Sequence, residues 1–249
     1  MKFLEDVILI PMQRLTLNLI LTMAWFSKKS GDDLVTGDIP IIDTKVPKKT
    51  KTVTFSMGCF WGPDALFGSK KGVVRTRVGY AGGTKQNPTY RSLGDHTETV
   101  QVYYDPKKIT YSDLLDIFWN NHDPTTRRTT QYMTMIFYHD DEQKKLAVES
   151  KEQMQKRLDE DVKTEIEEYS KFYLAEDYHQ KYQLSRNSSL YSAFKYIYPD
   201  IQDFVNSTAV ARANGLVSGK GDIDIVEELG LNEEGKELIR KSFKRAGGG

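Results

Sequence analysis

The chain has 249 residues, of which 39% are hydrophobic and 11% aromatic, so it is long enough to bury a sizeable core. Its 35 Lys and Arg residues balance 35 Asp and Glu residues, and zero net charge gives no indication of nucleic acid as a partner. The single cysteine excludes an intramolecular disulfide, and the 4 histidines show no zinc-ligand spacing. We therefore expect one compact, monomeric domain with appendages and without a bound metal or cofactor.

The first 26 residues are apolar but do not have the pattern of a membrane-spanning helix. Pro11 and Arg14 interrupt the apolar stretch from Val7 to Phe26, which disfavours a span. Arg14 before an apolar run imitates a secretory signal, but no clear cleavage site follows, and translation could instead start at Met23. The simplest interpretation is a poorly ordered leader on a cytoplasmic protein, with mitochondria or a membrane as alternative locations.

The core of the chain is predicted to begin near Thr52, after a segment without helical periodicity that we interpret as extended. The apolar patterning that follows predicts secondary structure in the order βαββαβ. The elements are a strand at Val53 to Met57, a helix at Pro63 to Ser69, strands at Val73 to Val78 and Glu98 to Tyr104, a helix at Tyr111 to Asn121, and a strand at Met133 to Tyr138. This order is typical of an α+β fold, specifically a two-layer α/β sandwich with a ferredoxin-like core.

The remainder of the chain is predicted to be a long, partly irregular C-terminal wrap. In chain order it contains a charged helix at Asp140 to Leu158, a strand at Thr164 to Tyr169, an aromatic-rich irregular segment from Phe172 to Tyr182, and helices at Thr208 to Asn214 and Glu233 to Phe243. We divide the chain into a leader (1–50), a catalytic domain (51–185) and an accessory helical tail (186–249).

The only cysteine, Cys59, lies in a glycine-flanked run where a predicted strand gives way to a predicted helix. Free backbone N–H groups and the positive end of the helix dipole at such a position favour a thiolate. The glycines on either side, Gly58 and Gly62, permit a tight bend and close approach of a ligand to the backbone. From these residues alone, a buried and unreactive cysteine is an equally weighted alternative.

A set of motifs in a fixed order resembles the methionine sulfoxide reductase A family, from about Phe55 to about Gln183. The matching runs are Gly58-Cys59-Phe60-Trp61-Gly62, Gly79-Tyr80-Ala81-Gly82-Gly83, Asn87-Pro88-Thr89-Tyr90, Gly94-Asp95-His96-Thr97-Glu98, Trp119-Asn120-Asn121-His122-Asp123-Pro124, Gln131-Tyr132 and Ala175-Glu176-Asp177-Tyr178-His179-Gln180. One such run could arise by chance, but the ordered set is specific. The resemblance implies the same two-layer α/β sandwich that the patterning predicts.

The resemblance implies that Cys59 attacks the sulfur of the S epimer of methionine sulfoxide, free or in proteins, and that Glu98 supplies the proton for the departing oxygen. Burial in a partly apolar pocket would raise the pKa of Glu98 and suit it to this role. Without the resemblance, an exposed strand glutamate is the more frequent situation. The alternating strand pattern around Glu98 is compatible with either situation. Whether the Glu98 side chain is buried or exposed therefore distinguishes the two interpretations.

The remaining site residues are also assigned by the resemblance. Tyr80 and Tyr132 match the hydroxyl donors to the sulfoxide oxygen, which gains negative charge during attack. Asp123 matches a polar group that organises the oxygen site through water, although an ordinary turn before proline explains it equally. Phe60 and Trp61 match the apolar wall around the substrate methyl group, whereas aromatic residues in general more often belong to the core.

Histidines near the motifs offer an alternative nucleophile arrangement. His96, His122 or His179 could pair with the cysteine as in other thiol enzymes. We expect them to support local structure instead, which is the more frequent role of isolated histidines.

The sequence also departs from the family pattern. No second cysteine is present to resolve the sulfenic acid that would form on Cys59, so an external thiol must complete the cycle, either thioredoxin or glutathione with glutaredoxin. Asp64 replaces the usual glutamate of the first helix, which suggests a weaker supporting hydrogen bond. Arg127 and Arg128 replace a glycine-containing run before Gln131. The alternative function is a redox sensor or interaction module without turnover, and a purely structural scaffold accounts for none of the site residues.

Overall fold

The computed structural model describes residues 31–249. The predictions for the apolar leader therefore lie outside the described residues. Within residues 31–249, no helix combines the length and apolar character that crossing a membrane requires.

A mixed six-stranded sheet forms the centre of the fold. The strands are β1 (Lys51–Met57), β2 (Val73–Ala81), β3 (Thr97–Tyr104), β4 (Thr134–Tyr138), β5 (Glu165–Glu168) and β6 (Phe172–Leu174). They lie in the order β5-β4-β1-β3-β2-β6, and only the β4–β5 pair is parallel. The predicted α+β class is confirmed, and β5 and β6 extend the four predicted central strands at the two edges of the sheet.

Helices follow the strands and then dominate the C-terminal part of the chain. They are α1 (Ile41–Thr44), α2 (Trp61–Gly68), α3 (Tyr111–Trp119), α4 (Asp141–Leu158), α5 (Tyr182–Ser185), α6 (Ser188–Ile197), α7 (Ile201–Asn206), α8 (Thr208–Leu216) and α9 (Glu233–Arg245). The two tail helices that the sequence predicts are present, and α6 and α7 add to them. Asn187 and Asp200 cap α6 and α7 through side-chain oxygens that accept backbone N–H groups.

The sequence analysis expected an extended segment before β1, but the segment is extended only in part. It contains a 3₁₀ turn at Gly31–Leu34 and the short helix α1. Distant contacts explain the difference, because the Asp43 carboxylate accepts the backbone N–H of Thr208 at 2.6 Å and the Ser207 hydroxyl at 2.7 Å. Such contacts across the chain cannot be inferred from local periodicity.

Two apolar clusters stabilise the structure. One packs β1 and β3 against α3, with the Phe55 and Phe118 ring centroids 5.0 Å apart. The other joins the tail helices to the N-terminal segment, and Leu34 and Phe194 are fully buried in it. Aromatic contacts of this kind add to the free energy gained by burying apolar area.

The tail also packs directly against the helix that follows Cys59. The backbones of α2 and α8 approach closely, because a Cβ atom at Gly68 would lie 2.8 Å from the Ala211 carbonyl oxygen. Arg212 of α8 is buried and donates hydrogen bonds to the carbonyl oxygens of Gly68 and Val73. The tail therefore packs against α2 and stabilises its position. The division of the chain at residue 185 stays a prediction.

Candidate active site

The cysteine occupies the sharp turn between β1 and α2 that its flanking residues predict. Strand β1 ends at Met57, Gly58 adopts a φ of +80°, and α2 starts at Trp61. A positive φ is the conformation that glycine adopts without steric cost, and it turns the chain out of the sheet. Cys59 is exposed as a result, which favours the reactive interpretation of the residue over a buried, inert one.

The resting thiol is less acidic than its position at a helix start suggested. Partial burial of the sulfur raises the pKa of Cys59 above the ordinary value of 9.0, and the charge of Glu98 raises this pKa further. The Trp61 N–H hydrogen bond lowers the pKa, but it does not outweigh these effects. The prediction of a stabilised thiolate is therefore corrected, because the helix contributes one backbone N–H while the neighbouring carboxylate and the burial oppose it.

Glu98 lies beside the cysteine and is 1% exposed, so it is not the solvated strand glutamate that the alternating pattern allowed. Its Oε2 accepts the Phe60 backbone N–H at 3.1 Å, and its Oε1 accepts a hydrogen bond from Gln131 Nε2 at 2.9 Å. Its side chain also hydrogen-bonds Cys59. Burial raises the pKa of Glu98 even though these hydrogen bonds act in the opposite direction. The carboxyl group is thus shifted toward the protonated form beside the Cys59 thiol.

Tyr80 is held against Glu98 by the register of the sheet. The two residues are direct partners in the antiparallel β2–β3 pair, so their side chains lie on the same face. Tyr80 is fully buried, and its hydroxyl donates a hydrogen bond of 2.7 Å to Glu176 Oε2. Burial and the Glu176 carboxylate both raise the pKa of Tyr80, which keeps its hydroxyl protonated.

Tyr132 also lies near Glu98 and belongs to the 3₁₀ turn Thr130–Tyr132. Its hydroxyl accepts a hydrogen bond of 3.3 Å from Gln131 Nε2, which also donates to Glu98. A hydrogen bond with Tyr90 is the main cause that raises the pKa of Tyr132 to about 12, and partial burial and the charge of Glu98 add to it. Two protonated phenol groups therefore lie beside the carboxyl group of Glu98.

The aromatic residues after Cys59 have different surroundings. Phe60 is 1% exposed and packs in a buried cluster with Tyr80. Trp61 is only partly buried, and its ring stacks on Tyr182 with the centroids 3.6 Å apart. The Trp61 indole N–H donates to His179 Nδ1 at 3.3 Å. Phe60 thus belongs to the core beneath the site. The Trp61 ring is the more accessible of the two aromatic side chains.

Asp123 is the one predicted site residue that lies in no described contact with Cys59 or Glu98. Its exposed carboxylate accepts hydrogen bonds of 2.9 Å from the Thr125 backbone N–H and hydroxyl, and a further bond from the Thr126 hydroxyl. These bonds hold the pKa of Asp123 well below its usual range. The geometry is that of the ordinary turn that the sequence analysis kept as the alternative.

The histidines make structural contacts, as expected. None of the described contacts pairs a histidine with Cys59. His96 accepts the Gly83 backbone N–H at 3.1 Å, and His122 bonds the Phe118 carbonyl oxygen at 2.7 Å. His179 lies between the ring of Trp61 and the carboxylate of Glu176, with its Nε2 4.0 Å from Glu176 Oε2.

The sequence analysis assigned no role to Glu176 and Gln131, although both lie within the motif runs. Glu176 accepts the Tyr80 hydroxyl through one oxygen and the Tyr90 backbone N–H through the other, at 3.0 Å. Gln131 connects Glu98 to Tyr132 through its amide group. Their membership of the ordered motifs was the signal that could have identified them.

Asp64 is better supported than the sequence analysis expected for a short carboxylate. It is fully buried, and its Oδ1 accepts hydrogen bonds from Thr76 Oγ1 at 2.5 Å and from Lys181 Nζ at 2.7 Å. Its Oδ2 accepts the Lys181 backbone N–H at 3.1 Å and the Asn214 amide at 3.2 Å. The weaker supporting hydrogen bond that the shorter side chain suggested is therefore not seen at this carboxylate. Its hydrogen bonds join α2, β2 and α8.

The arrangement suits reduction at a sulfoxide. It combines an accessible thiol, which has the chemistry of a soft nucleophile, with a buried carboxyl group whose raised pKa suits proton transfer and two phenols that are protonated at neutral pH. The aromatic rings around Trp61 complete a partly apolar surface next to the sulfur.

Comparisons with known proteins agree with this chemistry. The sequence profile of the family described as "Peptide methionine sulfoxide reductase" matches residues 51–211. A Drosophila melanogaster protein named "Peptide methionine sulfoxide reductase" is 45% identical over 188 residues, which cover 74% of this chain and 74% of that protein. A Methanococcus maripaludis protein named "Peptide methionine sulfoxide reductase MsrA" is 46% identical over 151 residues, 57% of this chain and 96% of that one.

A solved structure supports the same assignment. The crystal structure of Mxr1 from Saccharomyces cerevisiae in reduced form aligns with a TM-score of 0.53 and 35% identity, over 57% of this chain and 88% of that chain. The ordered motifs, the geometry around Cys59 and the match over residues 51–211 point to one family. The chain therefore belongs to the MsrA family of peptide methionine sulfoxide reductases and is a peptide-methionine (S)-S-oxide reductase.

Proposed function

We propose that Cys59 is the nucleophile and Glu98 the proton donor in the reduction of methionine S-sulfoxide, both as the free amino acid and in oxidised proteins. The observation that supports this assignment is the contact between the exposed thiol and the buried carboxyl group of Glu98, whose pKa burial raises. The residues around them bind and orient the sulfoxide oxygen.

The steps of the proposed reaction conserve protons and electrons. The Cys59 sulfur attacks the sulfoxide sulfur, and the thiol proton passes to Glu98, its hydrogen-bonded neighbour. Glu98 delivers a proton to the sulfoxide oxygen, while Tyr80 and Tyr132 donate hydrogen bonds to that oxygen as its negative charge grows. For this the Tyr80 hydroxyl exchanges its hydrogen bond to Glu176 for one to the substrate. The protonated oxygen then transfers from the substrate sulfur to the Cys59 sulfur, so that the substrate S–O bond and the transient S–S bond break and a sulfenic acid S–O bond forms. Methionine leaves with its sulfur reduced by the two electrons that Cys59 loses.

The positions of the other predicted site residues support narrower roles. Trp61 contributes the accessible apolar wall for the substrate methyl group, and Phe60 supports it from beneath. We assign Asp123 an indirect role, because its carboxylate shapes the loop that leads to Gln131 and Tyr132. We also assign the central strands to a ferredoxin-like core of a two-layer α/β sandwich, which the order β4-β1-β3-β2 supports.

Regeneration of the thiol is proposed to depend on an external reductant. Cys59 is the only cysteine of the chain, so no internal disulfide can form after the sulfenic acid. Thioredoxin, or glutathione with glutaredoxin, would supply the electrons. The enzyme itself would work as a monomer without a bound cofactor.

A single-turnover experiment tests the assignment. Reduced enzyme is mixed with the separate S and R epimers of N-acetylmethionine sulfoxide without any reductant, and N-acetylmethionine and Cys59 sulfenic acid are quantified by mass spectrometry. We expect one equivalent of each product from the S epimer alone, none in Cys59→Ser, and strongly slowed formation in Glu98→Gln. Oxidation of Cys59 by peroxide without any methionine formation would instead identify a redox sensor.

A further inference from the structure

A basic cleft lies near Gly58, on the loop where the sequence departs from the family pattern. Arg127 and Arg128 are both exposed, and within residues 31–249 no carboxylate forms an ion pair with either guanidinium. Exposed arginines without acidic partners are available to bind an anion.

Arg128 approaches the backbone at the catalytic turn. Its Nη1 lies 3.7 Å from the position that a Cβ atom would take on Gly58, the residue before Cys59. This is an ordinary van der Waals distance, so the guanidinium lies against the turn. An anionic group that binds Arg128 is thereby held beside the turn that carries Cys59.

The cleft continues away from the cysteine as a cavity of about 270 Å³. Arg127, Arg128 and Lys163 line it together with a single acidic residue, Glu165. Lys163 also pairs with Asp161, so the arginines carry most of the uncompensated charge. The volume suits part of a small molecule rather than a protein segment.

The chemistry of the single cysteine requires two thiols from outside. In the first step a small thiol attacks the sulfenic sulfur of Cys59, an S–S bond forms, the S–O bond breaks, and the hydroxyl leaves as water with the thiol proton. In the second step another thiol attacks the small-molecule sulfur of this mixed disulfide and releases the Cys59 thiol, which takes up the proton. The two small thiols leave oxidised as their disulfide.

We propose that Arg127 and Arg128 form a subsite for the carboxylates of a small anionic thiol, such as glutathione, that reduces the Cys59 sulfenic acid. This inference rests on the proposed function, because the sulfenic acid is a product of the sulfoxide reaction. Two guanidinium groups match a thiol that carries two carboxylates, since arginine binds carboxylates with paired hydrogen bonds. The subsite selects the reductant and takes no part in the attack on the sulfoxide.

The test measures the second half of the cycle separately. Cys59 sulfenic acid is first generated with one equivalent of S-sulfoxide, and its decay is followed by mass spectrometry with glutathione, with glutathione diethyl ester, which lacks both carboxylates, or with dithiothreitol. Arg127→Gln, Arg128→Gln and the double variant are compared with Arg245→Gln, an exposed arginine at the end of α9 that does not line the cleft.

We expect the ratio of the glutathione rate to the dithiothreitol rate to fall about tenfold in the double variant and to stay unchanged in Arg245→Gln. Wild-type enzyme should also react more slowly with the diethyl ester than with glutathione. An unchanged ratio, or a wild type that glutathione does not reduce, overturns the subsite, whereas methionine formation in the first half of the cycle still supports the proposed function.

A separate set of measurements tests whether the arginines instead bind carboxylates of protein substrates. The rate of sulfenic acid formation is measured with peptides that place Asp residues next to methionine sulfoxide, and with matched Asn peptides. If the arginine variants slow only the reaction of the acidic peptides and leave the glutathione ratio unchanged, the cleft binds protein substrates and the reductant subsite is wrong.

Discussion

The carboxylate of Glu98 accepts the backbone N–H of Phe60 at 3.1 Å, and this bond connects the start of β3 to the residue that follows Cys59. The proposed acid and the proposed nucleophile are therefore positioned by one short network rather than by independent loops. Gln131 holds the other carboxylate oxygen at 2.9 Å, so the orientation of the carboxyl group is defined from both sides.

Replacing Glu98 with Gln should have opposite effects on two reactions of Cys59. Glu98 raises the pKa of Cys59 through its charge and its hydrogen bond, so its removal lowers this pKa. At a fixed pH below that pKa the thiolate fraction rises, and alkylation by iodoacetamide becomes faster. Reduction of the sulfoxide should slow about 10²- to 10⁴-fold, because the proton donor is lost. Alkylation rates between about pH 6 and pH 10 and single-turnover rates measure the two effects.

The pH at the midpoint of the alkylation curve must be lower in Glu98→Gln than in the wild-type enzyme. A midpoint that does not move, or that moves upward, contradicts the proposed contact between the thiol and the carboxylate. Glu167→Gln is a matched control, because this glutamate lies on β5 and is not among the groups that affect Cys59.

Tyr132→Phe removes a hydroxyl that is protonated at neutral pH, since its pKa is raised to about 12. Loss of one hydrogen bond to a developing oxygen charge should lower kcat about 10- to 100-fold with a smaller effect on KM. Steady-state assays with dithiothreitol measure both constants. Tyr196→Phe, at a tyrosine that is 57% exposed, is the control, and an equal effect in both variants would exclude a role for the Tyr132 hydroxyl.

Lys181→Met should be strongly destabilising because it leaves the buried Asp64 carboxylate without its cationic partner. Removing one member of a buried ion pair typically lowers the free energy of unfolding by about 3–5 kcal/mol. Lys51→Met, which breaks an exposed pair with Glu142, should cost less than about 1 kcal/mol. Urea unfolding compares the variants.

The double variant Lys181→Met/Asp64→Asn separates the charge from the packing. It should be more stable than Lys181→Met alone, since no unpaired charge remains buried. Equal free energies of unfolding for the single and double variants would show that the loss comes from packing and not from the unpaired carboxylate.

Gly215→Ala should disturb the contact between α8 and α2. The new Cβ atom would lie 2.6 Å from Ser69 Cβ and 2.9 Å from the Ala65 carbonyl oxygen, so the helices must move apart. We expect a loss of about 1–3 kcal/mol in the free energy of unfolding, measured in urea. Gly62→Ala is the control, because nothing lies within 4 Å of its Cβ position and alanine favours the helix. A smaller loss at Gly215 than at Gly62 would contradict the close packing.

The acidity of the site residues was only partly predictable from their positions along the chain. The burial of Glu98 and the upward direction of its pKa agree with the sequence-based expectation. The direction for Cys59 does not agree, because the expectation considered the start of α2 and neither the partial burial of the sulfur nor the approach of the Glu98 charge. A residue 39 positions away along the chain reaches the thiol only after the sheet has formed, as the β1–β3 and β2–β3 pairings place it.

Local patterning and the ordered motifs determined the α+β class, the turn that presents Cys59, and the identity of the family, because strands, helices and turns depend on neighbouring residues. Only the tertiary structure decided the burial of the Asp64–Lys181 pair and the packing of α8 on α2. The same holds for the position of Arg128 beside Gly58. These relationships join residues that are far apart in sequence, and their energies depend on burial and distance, which arise only when the chain has folded.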